Sequence, residues 1–431
     1  MQVGARMLNP GVRAREVWSW AMLDFANSGY TTVVLTAVFS AYFVGVVAGG
    51  APWATLAWTA TLSTSYVLVM LALPALGARA DAIAGKRRLL FTSIAGCILG
   101  TLVLSRAGPG DLWLAIVALV FSNFCFSISE SAIASFLPEL AAPQALGRVS
   151  GWGWSLGYVG GLVTLGIALT IVTTGETRGW PASVSVPWVM VTTATVFALA
   201  VMPAALWLKE RSPPSGIARV SALHTLTCAW HEVSRQFTTF RQLLICGACY
   251  QAGISVVITL AAVYAEQVMG FSMAQTILLI VAVNVTAAIG ALIFGSVQDR
   301  VGHRVALATT LVGWVVTALT AYAAVDVRLF WFAACLAGLC MGSSQSAGRA
   351  MVASLAPTNR LAAFFALWTF AMQLAAAVGP LTYGLVTWLT DGNQRLAMLL
   401  TSLFFIAALA ILYRVDLNRG QVQRHTSDQP G

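Results

Sequence analysis

The chain of 431 residues carries few charges for its length. Hydrophobic residues make up 58% of it and charged residues 9%, whereas an average soluble domain has about 45–50% and about 25%. A soluble fold of this length could not cover its surface with so few charges, and the abundance of large apolar residues excludes a disordered or collagen-like chain. With a mean hydropathy of +0.81, the composition indicates a polytopic membrane protein.

Apolar stretches long enough to cross a bilayer, which takes roughly 20 helical residues, recur along the whole chain. The first six are predicted at 18–48, 53–78, 89–107, 111–137, 149–174 and 186–208. The second six are predicted at 241–268, 273–297, 305–325, 328–350, 361–390 and 394–414. These runs lack the alternation with period two that is typical of an outer-membrane barrel. We therefore predict an all-α membrane protein with twelve transmembrane helices.

The polar segments divide these helices into two bundles. We predict an N-terminal six-helix bundle in 1–208, a cytoplasmic linker in 209–240, a C-terminal six-helix bundle in 241–414 and a cytoplasmic tail in 415–431. The linker is a long polar segment in the interior of the chain, with six predicted spans before it and six after it.

The net charge of +9 is explained by the topology of the chain. Of the 24 Lys and Arg residues, 20 lie on the side of the membrane that carries both termini and four on the other side. Because cytoplasmic loops carry the excess of positive charge, both termini are expected in the cytoplasm. We expect a multi-pass protein of a bacterial inner (plasma) membrane, with basic segments that contact membrane lipids and no nucleic-acid partner.

The two halves repeat each other at an offset of 218 or 219 residues. The corresponding positions are Gly77 and Asp81 with Gly295 and Asp299, Pro138 with Pro357, and 160–162 with 379–381. Each pair falls at the same point relative to its predicted helices. Three matches in register indicate a duplicated bundle, which is a common transporter architecture.

The loop between the second and third helices of each half resembles the signature loop of the major facilitator superfamily. The segment GSVQDRVGHR at 295–304 fits this pattern well, and GARADAIAGKRR at 77–88 fits with one additional residue. The resemblance implies two pseudo-symmetric six-helix bundles that transport a solute by alternating access. It also implies that the loops latch neighbouring helices, with Asp near a helix N-terminus. The latch residues are Asp81, Arg87, Arg88, Asp299, Arg300 and Arg304.

A narrower resemblance is to the vacuole-effluxer branch, which is related to autophagy-linked amino-acid effluxers. It is carried by WSWAMLDFANSGY at 18–30, GRVSGWGWSLGYVGGL at 147–162 and AAVYAEQVMGFSMAQ at 261–275. The resemblance implies an amino acid or related metabolite as substrate. One departure is that Tyr250 is followed by Gln251 and Ala252, whereas the branch commonly has an Asn-Asp pair there. The start of the seventh helix therefore lacks a carboxylate that could bind a cation or a proton.

Three charged residues stand out inside the predicted spans, away from the span ends, namely Asp24, Glu130 and Arg349. A charge at the centre of a membrane helix costs roughly 2.5–3.5 kcal/mol on insertion scales. Glu130 and Arg349 are 219 residues apart and each precedes its loop proline by eight residues, which places both about 12 Å from the cytoplasmic end. By resemblance to the superfamily, their helices line a central cavity, so the three charges are expected in its cytoplasmic half.

Two sets of roles are open for these charges. Arg349 could hold an anionic group such as a substrate carboxylate, while Asp24 or Glu130 could take up a proton, because removal from water favours the neutral carboxyl group. Alternatively, Glu130 and Arg349 pair with each other as a cytoplasmic gate. Asn27, three residues after Asp24, and Gln345, four residues before Arg349, share their helix faces and complete the candidate site.

No HExxH or GxxxxGK[ST] motif supports metal-dependent catalysis or nucleotide binding. We therefore expect neither an enzyme nor a metal or cofactor site, and uphill transport must use an ion gradient. The prediction is a monomeric secondary transporter of a small organic solute, with protons as the candidate coupling ion. The alternatives are an exporter of lipophilic compounds and a membrane sensor or scaffold without transport activity. The missing carboxylate of the seventh helix favours the sensor, and the charges inside the spans disfavour it.

Overall fold

The computed structural model describes residues 7–51, 53–214, 230–271, 273–391 and 393–428. In these ranges, twelve helices are long and apolar enough to cross a membrane, which confirms the predicted all-α membrane fold. The first six helices are α1 (Ala14–Val47), α2 (Ala54–Ala82), α3 (Lys86–Leu104), α4 (Leu112–Ser135), α5 (Leu146–Thr177) and α6 (Ala182–Trp207). The second six are α7 (Thr238–Met269), α8 (Met273–Val301), α9 (His303–Ala323), α10 (Val327–Leu355), α11 (Leu361–Leu389) and α12 (Gln394–Leu412).

The ends of these helices differ from the predicted spans by a few residues. A short polar helix, α13 (Leu417–Asp428), follows α12 in the predicted tail. The middle of the predicted linker, residues 215–229, and the last three residues of the tail lie outside the described residues. The membrane face at which α1 begins and α12 ends is called the terminal face below.

Glycine and the lipid environment together determine where the helices end. In hydrocarbon, every backbone polar group needs a partner within the protein, so helices run unbroken until they reach the membrane surface. Gly270 ends α7 with a φ of 67°, and Gly302 separates α8 from α9 with a φ of 90°. Positive φ angles are accessible to glycine without steric cost, which explains these residues at the turns.

Helix α1 is regular only near the terminal face. It is α-helical over Ala14–Tyr30 and then contains wider π-helical turns at Thr31–Ala37 and Phe43–Val47. Such turns are rare and are often found at functional sites. The candidate residues Asp24 and Asn27 lie on the regular part, so their side chains keep the helical spacing that the sequence predicts.

The two halves contact each other through repeat-equivalent helices. Helix α2 packs against α11, and helix α8 packs against α5. At the closest points, a Cβ on Gly77 would lie 2.7 Å from the backbone oxygen of Ala362, and a Cβ on Gly295 would lie 2.8 Å from that of Gly147. Small residues allow such close backbone packing in membranes, so the two repeated glycines are explained by contact between the halves.

The beginning of the linker is attached to the N-terminal half. Lys86 at the start of α3 forms a buried ion pair with Glu139. The Glu139 carboxylate also accepts hydrogen bonds from the backbone N–H of Arg211 and from the hydroxyl of Ser212, the latter at 2.9 Å. Residues 209–212, called the linker strap below, therefore belong to the N-terminal half.

Candidate functional site

An ion pair joins the two halves in the interior of the protein. Arg349 of α10 donates two hydrogen bonds to Asp24 of α1, with Nη1–Oδ2 at 2.5 Å and Nη2–Oδ1 at 3.0 Å. The two residues are only 5% and 6% exposed. The expected gate between Glu130 and Arg349 is thus not formed in this conformation. The guanidinium group of Arg349 instead pairs bidentately with Asp24, a geometry that suits its planar arrangement of N–H donors.

Aromatic rings enclose the guanidinium group of Arg349. Its central carbon lies 4.8 Å from the ring centroid of Trp154 and 5.5 Å from that of Trp20. Cation–π contacts of this kind gain strength when the cation is removed from water. Trp20 is fully buried, and its indole nitrogen donates to the backbone oxygen of Ile133 at 2.8 Å. The rings therefore hold Arg349 in a fixed, water-poor position.

Gly153 of α5 makes room for the ion pair. A Cβ at this position would overlap Oδ2 of Asp24 and would lie 3.0 Å both from Nη1 of Arg349 and from the ring of Trp20. Any side chain here would push α5 away or break the pair. The absence of a side chain at Gly153 is therefore part of the site.

Glu130 of α4 lies half-buried near this pair. Among the described residues, its carboxyl group makes no hydrogen bond or ion pair, although it is within electrostatic range of Arg349 and Asp24. A carboxylate without a partner in a partly buried position is costly unless a proton or a ligand compensates its charge. The structure therefore places Glu130 beside the pair, with a carboxyl group that can accept a hydrogen bond or a proton.

Two buried donors near the pair also lack partners among the described residues. These are Nδ2 of Asn27, one turn along α1 from Asp24, and Nε1 of Trp154. Asn27 is 5% exposed, and its Oδ1 accepts a long hydrogen bond of 3.4 Å from Ser129. Buried polar atoms are nearly always paired. These two donors beside the ion pair are therefore available for hydrogen bonds to a polar ligand.

The fifth candidate residue, Gln345, contributes to contact between the halves. Its side-chain oxygen accepts a hydrogen bond from the hydroxyl of Tyr158 on α5. Nearby, Ser150 of α5 donates to the backbone oxygen of Ser346 at 2.9 Å. These bonds connect α5 to α10 beside the site.

The two signature-loop aspartates close the terminal face. Asp81 accepts hydrogen bonds from the backbone N–H groups of Ala362 and Ala363 at 3.1 and 2.8 Å, at the N-terminus of α11. Asp299 accepts hydrogen bonds from the N–H groups at the start of α5, from residues 147 and 148, at 2.8 and 2.9 Å. Each carboxylate thus caps a helix of the opposite half, where the helix dipole favours negative charge. The structure is closed at the terminal face.

The arginines of the same loops brace helices within their own halves. Arg87 donates to the backbone oxygen of Ala205 near the end of α6 at 2.6 Å, and Arg304 donates to that of Tyr413 just after α12. The expected latch role of the remaining two arginines is not seen, because their side chains are exposed and make no hydrogen bond or ion pair within the described ranges. These two are Arg88 and Arg300.

Sequence reasoning did not identify Trp20, Trp154, Gly153 and Tyr158 as parts of the site. All four lie in two of the three segments that carry the narrower resemblance, 18–30 and 147–162. Large aromatic residues are common throughout a membrane protein, so their identity alone does not separate a site from packing. The alternation of glycine and tryptophan in GWGW at 151–154 is the signal that could have located the site, since it combines close helix approach with bulky rings.

Comparisons with known sequences identify the family of this chain and several relatives. The sequence model of a family described as vacuole effluxer Atg22-like matches residues 54–425. An uncharacterised MFS-type transporter of Bacillus subtilis, YxiO, is 24% identical over 424 residues, which are 96% of this chain and 97% of that protein. Autophagy-related protein 22-1 of Neosartorya fischeri is 25% identical over 304 residues, which cover 64% of this chain and 49% of the fungal protein. The chain thus spans about half the length of this fungal relative.

Solved structures share the fold. The human organic anion transporter MFSD10 superposes with a TM-score of 0.73 at 17% identity, covering 92% of this chain and 98% of the other. The proton:xylose symporter XylE superposes with a TM-score of 0.75 at 14% identity, covering 96% and 98%. The major facilitator fold predicted from the signature loops is confirmed. None of these proteins is described as an enzyme, in agreement with the expectation from the sequence.

Proposed function

Since this chain belongs to the vacuole effluxer Atg22-like family of major facilitator transporters, we propose that it is a secondary transporter of a small organic solute that carries a carboxylate. An amino acid or a related metabolite has the appropriate chemistry. The buried pair of Asp24 and Arg349 supports this proposal most directly. Two charges that each cost roughly 2.5–3.5 kcal/mol to insert are not expected in a bundle without transport activity.

Alternating access requires the pair to separate. Opening the terminal face moves α10 away from α1, so Arg349 and Asp24 each need another partner. Leaving one member of a buried pair uncompensated costs about 3–5 kcal/mol. A substrate carboxylate on Arg349 and a proton on Asp24 remove this cost together. The loaded protein therefore opens at the terminal face more readily than the empty one, which couples solute movement to proton movement.

The other polar groups of the site suit a zwitterionic solute. The unpaired donors of Asn27 and Trp154 can bind the substrate carboxylate beside Arg349. The free carboxylate of Glu130 can bind an ammonium group or take up a second proton. In this arrangement Glu130 on α4 binds the cationic group of the solute, and Arg349 on α10 binds its carboxylate.

The contacts at the terminal face support a latch role for Asp81 and Asp299. Their hydrogen bonds to the opposite half must break when that face opens, because each bond joins helices of different bundles. An interaction made in one state and lost in the other sets the balance between the two states. We infer that the two aspartates stabilise the state that is closed at the terminal face.

The distribution of Lys and Arg supports a cytoplasmic terminal face. Under this proposal both chain ends lie in the cytoplasm, and the protein is a monomer of a bacterial inner membrane. Reporter fusions at the two ends test the topology: we expect both reporters on the cytoplasmic side. Reporters on opposite faces of the membrane would contradict the twelve-span arrangement as well as its orientation.

A metabolite screen followed by flux measurements tests the transport proposal. A thermal-shift screen of the purified protein should identify a stabilising carboxylate, and proteoliposomes should transport it faster under an inward proton gradient. We expect Arg349→Ala to abolish flux and Asp24→Asn to remove its dependence on the gradient, with Arg328→Gln at the opposite face as an unaffected control.

Three outcomes would contradict the proposal. Unchanged affinity and proton dependence in Arg349→Ala and Glu130→Gln would remove these residues from the site. A ligand that binds without flux would favour a membrane sensor. Binding of hydrophobic cations alone would favour an exporter of lipophilic compounds.

A further inference from the structure

Two grooves lie at repeat-equivalent positions outside the central site. The first has a volume of about 520 Å³ and runs along the beginning of α3. Its lining includes, in chain order, Arg87, Arg88, Phe91, Thr92 and Ala95, and the carboxylate of Glu210 also lines its arginine end. The second has a volume of about 470 Å³ and runs along the beginning of α9. Its lining residues are Arg304, Val305, Ala308, Thr309 and Val312, each 217 positions after its counterpart.

Both grooves face outward from the bundle. Thr92 and Ala95 are exposed on α3, and Thr309 and Val312 are exposed on α9. From Arg87 to Ala95 the helix rises about 12 Å, which is close to the thickness of the hydrocarbon in one leaflet, about 15 Å. Each groove therefore begins with arginine at the terminal face and continues into the region of the acyl chains.

The first groove offers guanidinium groups for an anion. Arg88 has no hydrogen-bond or ion-pair partner for its side chain in the described part of the chain, whereas Arg87, like Arg304 in the second groove, donates to a backbone oxygen and lies over an aromatic ring, here those of Ala205 and Phe91. The backbone N–H groups of residues 86 and 87 already donate to the carboxylate of Glu210 at 2.9 and 3.0 Å. A ligand would thus meet the arginine side chains and not the helix N-terminus. Guanidinium matches phosphate in charge and geometry.

The second groove offers less charge. Arg304 is its only basic lining residue, and this side chain is engaged with the backbone oxygen and the ring of Tyr413. The position that corresponds to Arg88 is Val305. The two grooves therefore share an apolar wall but differ at the end where a headgroup would lie.

We propose that the first groove binds an anionic phospholipid, with the phosphate at Arg87 and Arg88 and one acyl chain along Phe91, Thr92 and Ala95. The second groove holds an acyl chain with little headgroup preference. Free phosphate would gain nothing from the apolar length of the groove, whereas a phospholipid uses both ends. The difference of one arginine between the repeats predicts that only the first groove selects anionic lipid.

Native mass spectrometry of the purified full chain tests this proposal. The protein is incubated with phosphatidylglycerol or phosphatidylcholine carrying the same acyl chains. We expect Arg88→Gln and Ala95→Trp each to reduce retained phosphatidylglycerol at least threefold, because one removes the headgroup charge and the other fills the groove. The matched controls are Arg106→Gln at the other end of α3 and Leu99→Trp one turn beyond the groove, both exposed; neither should change retention.

The second groove and the headgroup are tested in the same experiment. Thr309→Trp should reduce retention of both lipids equally, compared with Val316→Trp on the same helix. The substitutions at Arg106, Leu99 and Val316 serve as checks that surface substitution alone has no effect. Equal retention of phosphatidylglycerol in Arg88→Gln and the parent protein would overturn the proposal. So would equal binding of the two lipids by the parent protein, or complete displacement of phosphatidylglycerol by millimolar inorganic phosphate.

Discussion

The pair of Asp24 and Arg349 provides the sharpest quantitative prediction. Replacing one member with a neutral residue, in Asp24→Asn or Arg349→Gln, leaves the other as a buried charge without its partner. The double variant leaves no uncompensated charge. We therefore expect each single variant to destabilise the state closed at the terminal face, and the double variant to resemble the parent more closely than either single variant does.

The expected magnitude follows from burial and geometry. The pair is bidentate and both residues are at least 94% buried, so removal of one partner should cost about 3–5 kcal/mol. A difference of this size changes the ratio of closed to open protein by a factor of about 100 to 5,000. The double variant leaves no buried charge without its partner and should recover much of this cost, so the coupling energy should be at least about 2 kcal/mol.

Accessibility of a buried cysteine provides the assay. Ser346 of α10 is fully buried, and its hydroxyl donates to the backbone oxygen of Gly147 on α5. The variant Ser346→Cys, in a background without the seven native cysteines, reports opening through its reaction with a maleimide. We expect the reaction to accelerate at least tenfold in each single variant and to slow again in the double variant. Additive effects of the two substitutions, or single variants as slow as the parent, would refute the assignment of the pair as a link between the halves.

Three further substitutions follow from other contacts. Gly153→Ala should weaken the ion pair by steric overlap and accelerate the same cysteine reaction, and no acceleration would show that α5 can shift without cost. Asp81→Ala removes a helix cap worth about 1–2 kcal/mol, so it should open the terminal face about 5- to 30-fold; Asp299→Ala should do the same, and their effects should add because the two caps are distant. Glu139→Gln should lower the denaturation midpoint in detergent, because it leaves Lys86 buried without its partner; an unchanged midpoint would contradict a structural role of this pair.

The fold was predictable because lipid makes the sequence pattern simple. A helix must be apolar for about 20 residues to cross the bilayer, and the turns must be polar, so the twelve spans can be recognised from composition. The irregular second part of α1, with its π-helical turns at Thr31–Ala37 and Phe43–Val47, was not predictable. Apolar residues there are equally compatible with a regular helix, and the width of the turns is decided by packing.

The site was predictable in its members but not in its pairings. A charge in a span is costly, which identified Asp24, Glu130 and Arg349. The repeat placed Glu130 and Arg349 at equivalent positions and thus suggested that they pair. In the structure, Gly153 allows α5 to approach, and the rings of Trp20 and Trp154 enclose the guanidinium group. Such three-dimensional enclosure depends on helices far apart in the chain, so sequence spacing does not reveal it.

The linker strap changes where the two bundles are mechanically connected. Because Glu139 holds residues 211 and 212, the chain leaves the N-terminal bundle at Ser212 and not at Trp207, the last residue of α6. The covalent connection to the C-terminal half therefore starts beside the beginning of α3, where Lys86 pairs with Glu139. Insertions or tags placed after residue 214 should leave this attachment intact, whereas insertions between 208 and 212 would disrupt it.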